Sequence, residues 1–556
     1  MDCRSISTKL IIIVVLFAFT ACSNEKTTNT SQTTPTEAEP TSYQPAHGGR
    51  LIDASIGDAT NLIPMIASDA SSHDIAGQLY LPLLKYDKNL NLVGQLAESW
   101  EISEDKLSII FKLKPNLKWS DGEPLTSDDL VFTLQLIQDD KTQSPYKSDY
   151  MKVISAKAID QRTFEVRYKE IFSPALATWA SLAILPKHVF KDVNIMDTDL
   201  SRHPKASIGP YFLKDWQTQQ SITMTANPNY FAGDVWIDER ITRIIPDPAT
   251  QFLELSAGKI DMANLTPTQY TRLFDNNQRL KHEYNRYKYL GFSYTYLGFN
   301  LTRKPFDDVR VRQALAYAID RQELVDGVLL GLGEVLATPY KPGTRWVNQS
   351  IKPRPFSLQH AQTLLTEAGW TKKEGQDYVS KNGKPLSFTI LTNNGNKKRA
   401  DTATIIQQRL KSIGIQVNIR LVEWSAFIEN FINKRDFDAV ILGWSLSPDP
   451  DQFNIWHSSQ TGERQFNFLS YSNPKVDEAL EQARLTFDLD QQKQWYDIMQ
   501  QEIHNDVPVV FLYAGYSLPA IHKRIQGIEV APAGIGHNSE FWYIPKLLQK
   551  TSITAE

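Results

Sequence analysis

LSIIFKLKPNLKWSDGEPLTSDDLVFTLQLIQ, residues 107–138, changes its periodicity halfway along. Residues 107–114 alternate apolar and polar side chains, the pattern of a strand with one buried face. Asp121-Gly122 supplies tight turn geometry just after Trp119 and Ser120. Leu125 then leads into a helix expected to run to about Gln138. Thr126 is its N-cap, and Asp128 and Asp129 sit in the first turn, where acids complement the positive end of the helix dipole. Working outward, TFEVRY (163–168) is another alternating strand, residues 50–56 another, and residues 74–81 a short helix closed by Pro82. Nothing recurs at a period of roughly 20–50 residues, which excludes a solenoid. Strands and helices interleave along the whole chain, which indicates the α/β class.

Three segments downstream carry more than packing. GFSYTYLGFN (291–300) places Phe292, Tyr294 and Tyr296 on one face of a strand, with Gly298 next in the series, where a missing side chain admits a close approach. PFDDVRVRQALAYAIDRQELV (305–325) reads as a helix opened by Asp307-Asp308. Val311, Leu315, Ala318 and Ile319 form its apolar face, and Arg310 and Arg312 are expected to pair with acids or cap carbonyls. AVILGWSLSPDPDQFNIWHSSQ (439–460) begins as a buried strand over 439–442, ends it at Gly443-Trp444 and becomes a polar loop. A strand-end loop with a Gly, a Trp, several Ser and Pro and two acids suits binding better than packing.

Composition bounds the function. The chain has 556 residues, enough for two or more domains at about 100–200 residues each. Hydrophobic residues make up 41% and charged residues 22%, which excludes a disordered chain and a polytopic membrane protein. Lys and Arg number 59 against 63 Asp and Glu, a net charge of −4, so the large basic field of a nucleic-acid binder is missing. The 12 Trp and 22 Tyr suit a protein that grips its ligand with flat, rigid side chains, and equally a large core.

The N-terminus sets the compartment. Arg4 and Lys9 precede an unbroken apolar run over 10–19, followed by Thr20-Ala21-Cys22, the form of a secretory signal (1–21). The run is shorter than the roughly 20 residues of a membrane-spanning helix. Phe19-Thr20-Ala21-Cys22 resembles a bacterial lipobox, with Phe in place of the usual Leu; an ordinary signal cleaved nearby is the alternative. Cys3 and Cys22 are the two cysteines, so a mature chain starting at Cys22 forms no internal disulfide, and the remaining thiol is read as a lipid anchor. Residues 22–48, rich in Thr and Pro, read as a flexible tether.

Catalytic patterns are missing. The chain has no G-x-S-x-G elbow, P-loop or H-E-x-x-H, and its 10 His are scattered, so no catalytic residue, metal site or cofactor is assigned. A secreted hydrolase whose two acids come from distant parts of the chain is the remote alternative.

The blocks Ala97-Glu98-Ser99-Trp100, Phe111-Lys112-Leu113 and 117–134 occur in that order. They are followed by Leu185-Pro186-Lys187-His188, Gly209-Pro210-Tyr211, Asn227-Pro228-Asn229-Tyr230 and Gly258-Lys259-Ile260-Asp261. Asn300 with 305–325, Ala368-Gly369-Trp370, Ile413-Gly414-Ile415, Asp436-Phe437-Asp438 and Asp506-Val507-Pro508 complete the series. Over residues 49–530 this order resembles the dipeptide/oligopeptide-binding proteins, bacterial family 5 of the extracytoplasmic solute-binding components of peptide ABC importers.

The resemblance implies a two-lobed α/β fold like the type II periplasmic binding proteins. Lobe I would take 49–296 plus 514–556, with an inserted subdomain at about 88–205, and lobe II 297–513. Crossings between lobes are expected near 294–298 and 512–515, forming a hinge. The implied protein is an extracytoplasmic monomer anchored to a membrane by lipid, with ABC permease subunits as partners and no nucleic acid. In relatives, the segment after the strand at 439 pairs with the peptide as an added strand, and a carboxylate three residues after the Trp holds the peptide's ammonium. Here that position is Ser447, so Asp449 is assigned the role, with Asp69 in the loop 67–72 as the next candidate. Gly443, Trp444 and Ser445 form the expected peptide-facing edge, and Tyr294, Tyr513, Asn393 and Asn394 the expected lining. Dipeptide binders carry an Arg after the strand resembling LSFTIL (386–391). Here Lys397, Lys398 and Arg399 come only later, which favours longer peptides held through their backbone. The same family binds nickel chelates, glutathione and oligosaccharides, and His457 is the residue a metal complex would use.

Overall fold

The computed structural model describes residues 43–549. The expected signal, Cys22 and all but the end of the tether lie outside the described residues. A seven-stranded sheet runs Tyr284–Arg286, Pro519–His522, Met262–Asn264, Arg50–Ser55, Glu239–Ile244, Ser221–Ala226, Tyr211–Gln217. A six-stranded sheet runs Gly333–Val335, Val509–Gly515, Ser293–Phe299, Ala439–Ser445, Ser387–Asn393, Gln416–Val422. An antiparallel four-stranded sheet of Ala97–Ile102, Ser108–Leu113, Thr163–Tyr168 and Val153–Ala158 belongs with the first. The molecule is a mixed α/β protein of two lobes, the first built on the seven- and four-stranded sheets and the second on the six-stranded sheet.

Sequence signals explain the local elements. Helix Ser127–Gln138 starts after Thr126, whose N–H donates to Asp129 Oδ2 at 2.9 Å, and it buries Leu130, Leu134 and Ile137. Helix Val309–Ala318 is capped by Asp308, whose Oδ1 accepts the Arg310 N–H at 3.0 Å. Arg310 pairs with Asp308 at 2.7 Å, while Arg312 donates to the carbonyls of Phe306, Asp506 and Val507. Val311, Leu315 and Ala318 of its apolar face are fully buried, each larger side chain contributing about 1.5–3 kcal/mol by leaving water.

The four-stranded sheet shares one apolar core, reaching from Ala59 to Val235, with Tyr211, Trp216, Ile222 and Met224 of the seven-stranded sheet. The passages between lobes lie at 287–292 and 516–518, because 294–298 and 512–515 are still strands of the six-stranded sheet, paired with 440–444 and with each other. Tyr289 and Ser517 exchange both backbone hydrogen bonds, at 3.3 and 2.9 Å, and hold the two passages side by side. Gly298 is closed off by the Tyr296 ring and Leu469 rather than by a backbone.

Candidate functional site

A cavity of about 670 Å³ opens between the lobes. Its second-lobe wall is the end of strand Ala439–Ser445 and the loop that follows. The strand runs three residues further than its apolar stretch, through Gly443, Trp444 and Ser445, because those residues pair with Thr295, Tyr294 and Ser293. On its other edge the parallel ladder with Ser387–Asn393 ends at Leu391 and Val440, and the Ile441 carbonyl is met by the Thr392 hydroxyl at 2.8 Å. The Leu446 N–H bonds to Phe292 O at 2.7 Å on the paired edge. Strand alternation therefore turns the backbone groups of Gly443 and Ser445 to the edge the parallel ladder has left. A Cβ on Gly443 would lie 2.7 Å from Tyr294 O and 3.1 Å from Arg399 Nη2, so glycine permits this crossing of backbone and guanidinium.

The loop is wound by its own side chains. Ser447 Oγ accepts the Asp449 N–H at 3.2 Å, and Asp449 Oδ1 accepts the Asp451 N–H at 2.9 Å. Ser447 thus shapes the turn, and Asp449 is among the residues that line the cavity. Burial, and next the charge of Asp451, push Asp449 up to about 7. Trp444 packs edge-on to Phe466, with ring centres 5.2 Å apart, and leans on Phe468.

Lys398 and Arg399 also line the cavity. Strand Ser387–Asn393 ends in a Gly395-Asn396 turn, and Asn396 caps helix Lys397–Ser412 by accepting the Arg399 N–H at 3.2 Å. Its first turn is thereby folded back to the cleft, which supplies the cations that linear distance from the strand had argued against. Arg399 Nη1 donates to Asn393 Oδ1 at 2.8 Å. Among the described residues neither cation has a carboxylate for a neighbour, and burial is the first cause holding both below their ordinary range.

The other expected residues separate into three groups. Tyr294, Tyr513, Ser447 and Asp69 line the cavity with Gly443, Trp444, Ser445 and Asp449. The Tyr294 hydroxyl is buried without a hydrogen-bond partner among the described residues, while Tyr513 pairs with Thr402 at 3.0 Å. Asp69 is engaged as the N-cap of helix Ala70–Leu79: it accepts from Ser72 N, Ser72 Oγ, Thr60 Oγ1 and Trp424 Nε1. Asn393 is buried behind the wall, where it holds Arg399, and Asn394 is exposed at the turn, its N–H bonded to Val422 O. His457 is outside the cavity lining, stacked on Phe453 and bonded to Ser459 and Glu481. Among the described residues no three His, Cys, Asp or Glu side chains are grouped to hold a metal, and no helix is long and apolar enough to cross a membrane.

Apart from Asp69, the residues of the first-lobe wall are absent from the sequence reading: His73, Asp74, Tyr146, Asp149 and Thr178. That reading also missed Arg484, which meets Asp149 and Asp451. No local motif marks these residues, since Arg484 lies 33 positions from Asp451 and 335 from Asp149.

Comparison with known proteins gives a consistent result. Residues 91–465 match the bacterial extracellular solute-binding proteins, family 5 Middle. The oligopeptide-binding protein AppA of Bacillus subtilis is 34% identical over 548 residues, 96% of this chain and 98% of that protein. The structure of AppA in complex with a nonapeptide superposes with a TM-score of 0.86, covering 90% of this chain and 100% of that one. NikZ of Campylobacter jejuni in complex with Ni(L-His) superposes with a TM-score of 0.80 at 25% identity, covering 89% and 99%.

Proposed function

The chain belongs to family 5 of the bacterial extracellular solute-binding proteins, and from that membership we propose that it captures oligopeptides between its lobes and delivers them to the permease subunits of an ABC importer. The observation that carries the peptide reading is the open edge at Gly443 and Ser445, facing a cavity of about 670 Å³. An extended peptide adds there as a strand, held by main-chain hydrogen bonds that every sequence offers alike, so varied side chains are accepted. The peptide's ammonium sits at Asp449 and its carboxylate, terminal or side-chain, at Lys398 and Arg399. Trp444 covers the chain between them. The relationship to AppA, whose structure holds a nonapeptide, supports a peptide over a metal chelate, as does His457 being engaged outside the cavity wall. The protein acts as a binder rather than an enzyme, as a monomer outside the cytoplasm, held to a membrane by lipid on Cys22.

The test is ligand recovery. Protein purified from its host without denaturation is opened in acid, and the released material is sequenced by tandem mass spectrometry. Peptides of mixed sequence are expected, returned intact after incubation with fresh protein. Recovery of a metal chelate or a saccharide in stoichiometric amount would replace this reading.

A further inference from the structure

Arg484 ends helix Pro474–Arg484 in the second lobe and is 3% exposed. Its Nε and Nη2 grip Asp451 of the binding loop at 3.0 and 2.5 Å, a bidentate contact within its own lobe. Nη2 also reaches Asp149 Oδ1 at 2.7 Å, and Asp149 belongs to the first lobe. The contact is reinforced on both sides. Asn454 of the second lobe donates to Asp149 Oδ2 at 2.7 Å and accepts from Ser148 Oγ at 2.6 Å. Ser173 of the first lobe donates its N–H to the Arg484 carbonyl at 2.8 Å and takes a hydrogen bond from Gln492 at 2.9 Å. Phe453, from one lobe, and Phe172, from the other, lie 3.8 and 5.3 Å from the guanidinium and keep water from it.

Asp149, Asp451 and Asn454 are also part of the cavity wall. The cluster therefore joins the ligand site to the seam between lobes. Two chain passages connect the lobes, so a rotation about them separates Asp149 from Arg484 while Asp451 stays with Arg484. A charge pair sealed between aromatic rings is screened far less than one on the surface, so neutralising Asp149 removes an attraction across the seam while Arg484 keeps Asp451 as its partner.

We propose that Arg484 is a positioning residue that holds the ligand loop through Asp451 in the open and closed protein alike, and that its contact with Asp149 is a seam latch that slows ligand escape. This deepens the peptide-binding reading and rests on it for the ligand, though not for the latch itself.

Stopped-flow fluorescence with a fluorescein-labelled library of nonapeptides separates the two roles. Asp149→Asn, which keeps shape and loses charge, is expected to speed dissociation about tenfold and to leave association within about twofold. Arg484→Met is expected to impair association as well, because the loop loses its anchor. Urea unfolding of ligand-free Asp149→Asn checks that the fold is kept. Small-angle X-ray scattering reads the latch without ligand: Asp149→Asn is expected to have a larger radius of gyration than the wild type. Equal dissociation rates and equal radii overturn the latch. Equal loss of association in both variants overturns the division of roles. Expansion of Asp149→Asn in a protein that binds no nonapeptide supports the latch and overturns the peptide reading instead.

Discussion

Asp449 is a carboxylate whose ordinary ionisation has been displaced by its surroundings. Burial and the neighbouring Asp451 raise it to about 7. A raised folded-state value favours the folded chain at acid pH, and that advantage is lost as pH climbs from about 4, where an unfolded Asp ionises, to about 7. An incoming ammonium reverses the preference, because it stabilises the ionised form. Peptide binding near pH 7 should therefore release protons, and affinity should rise between pH 6 and about 8, above which a peptide's own α-ammonium deprotonates. Calorimetry in buffers of different ionisation enthalpy reads the released proton directly. Asp449→Ala should abolish the acid limb and weaken peptides with a free N-terminus by about 2–5 kcal/mol, while N-acetylated peptides change little. Equal weakening of both peptide sets would place the ammonium elsewhere. Asp69 is an unsuitable substitute, since its oxygens already accept four hydrogen bonds. Asp69→Ala should instead cost about 0.5–2 kcal/mol of stability through the lost helix cap, read by urea unfolding.

The elements show what a linear text conveys. Strand Thr163–Tyr168 and helix Ser127–Gln138 lie where periodicity and capping residues put them, because both signals are local. Helix Ala70–Leu79 begins four residues before its expected start because Asp69, the second candidate for the ligand's ammonium, caps it instead. Residues 393–399 were harder to read. Asn393, Asn394 and Arg399 look like a polar run, but a turn at Gly395 sends one to solvent, one behind the wall and one into the cleft. Direction of that kind is a tertiary property. The union of Asp149 with Arg484 is another, made by two lobes that no local pattern relates. At this scale Gly443 is the sensitive position. Gly443→Ala puts a methyl group against Tyr294 O and Arg399, and should lower stability by about 1–3 kcal/mol and peptide affinity more than tenfold. Gly515→Ala is the control: its Cβ would meet Leu329 at an ordinary 3.7 Å, and calorimetry should find it close to wild type.

The two passages at 287–292 and 516–518, bonded to each other through Tyr289 and Ser517, leave the lobes a single axis about which to move. Hinged closure around a ligand follows from such a connection, and scattering should record contraction when peptide is added to ligand-free Asp149→Asn, whose seam contact is weakened. The anchor is tested separately. Cys22→Ala should move the protein from the membrane to the soluble fraction, or leave the signal uncut, without altering calorimetric affinity for peptide. A wild-type protein already soluble and unmodified by mass spectrometry would remove the lipid from this account.

The open edge at Gly443 and Ser445 has a consequence for what the protein declines to hold. Unpaired strand edges invite other strands, which is how misfolded chains stick to one another. Here the open edge lines a cavity of about 670 Å³ between the lobes. A folded neighbour presents its edges with a whole domain behind them and is too bulky to enter. Short chains with no tertiary structure pass. If peptides add at this edge, the cleft should act as a sieve for foldedness, admitting digested protein and refusing intact protein.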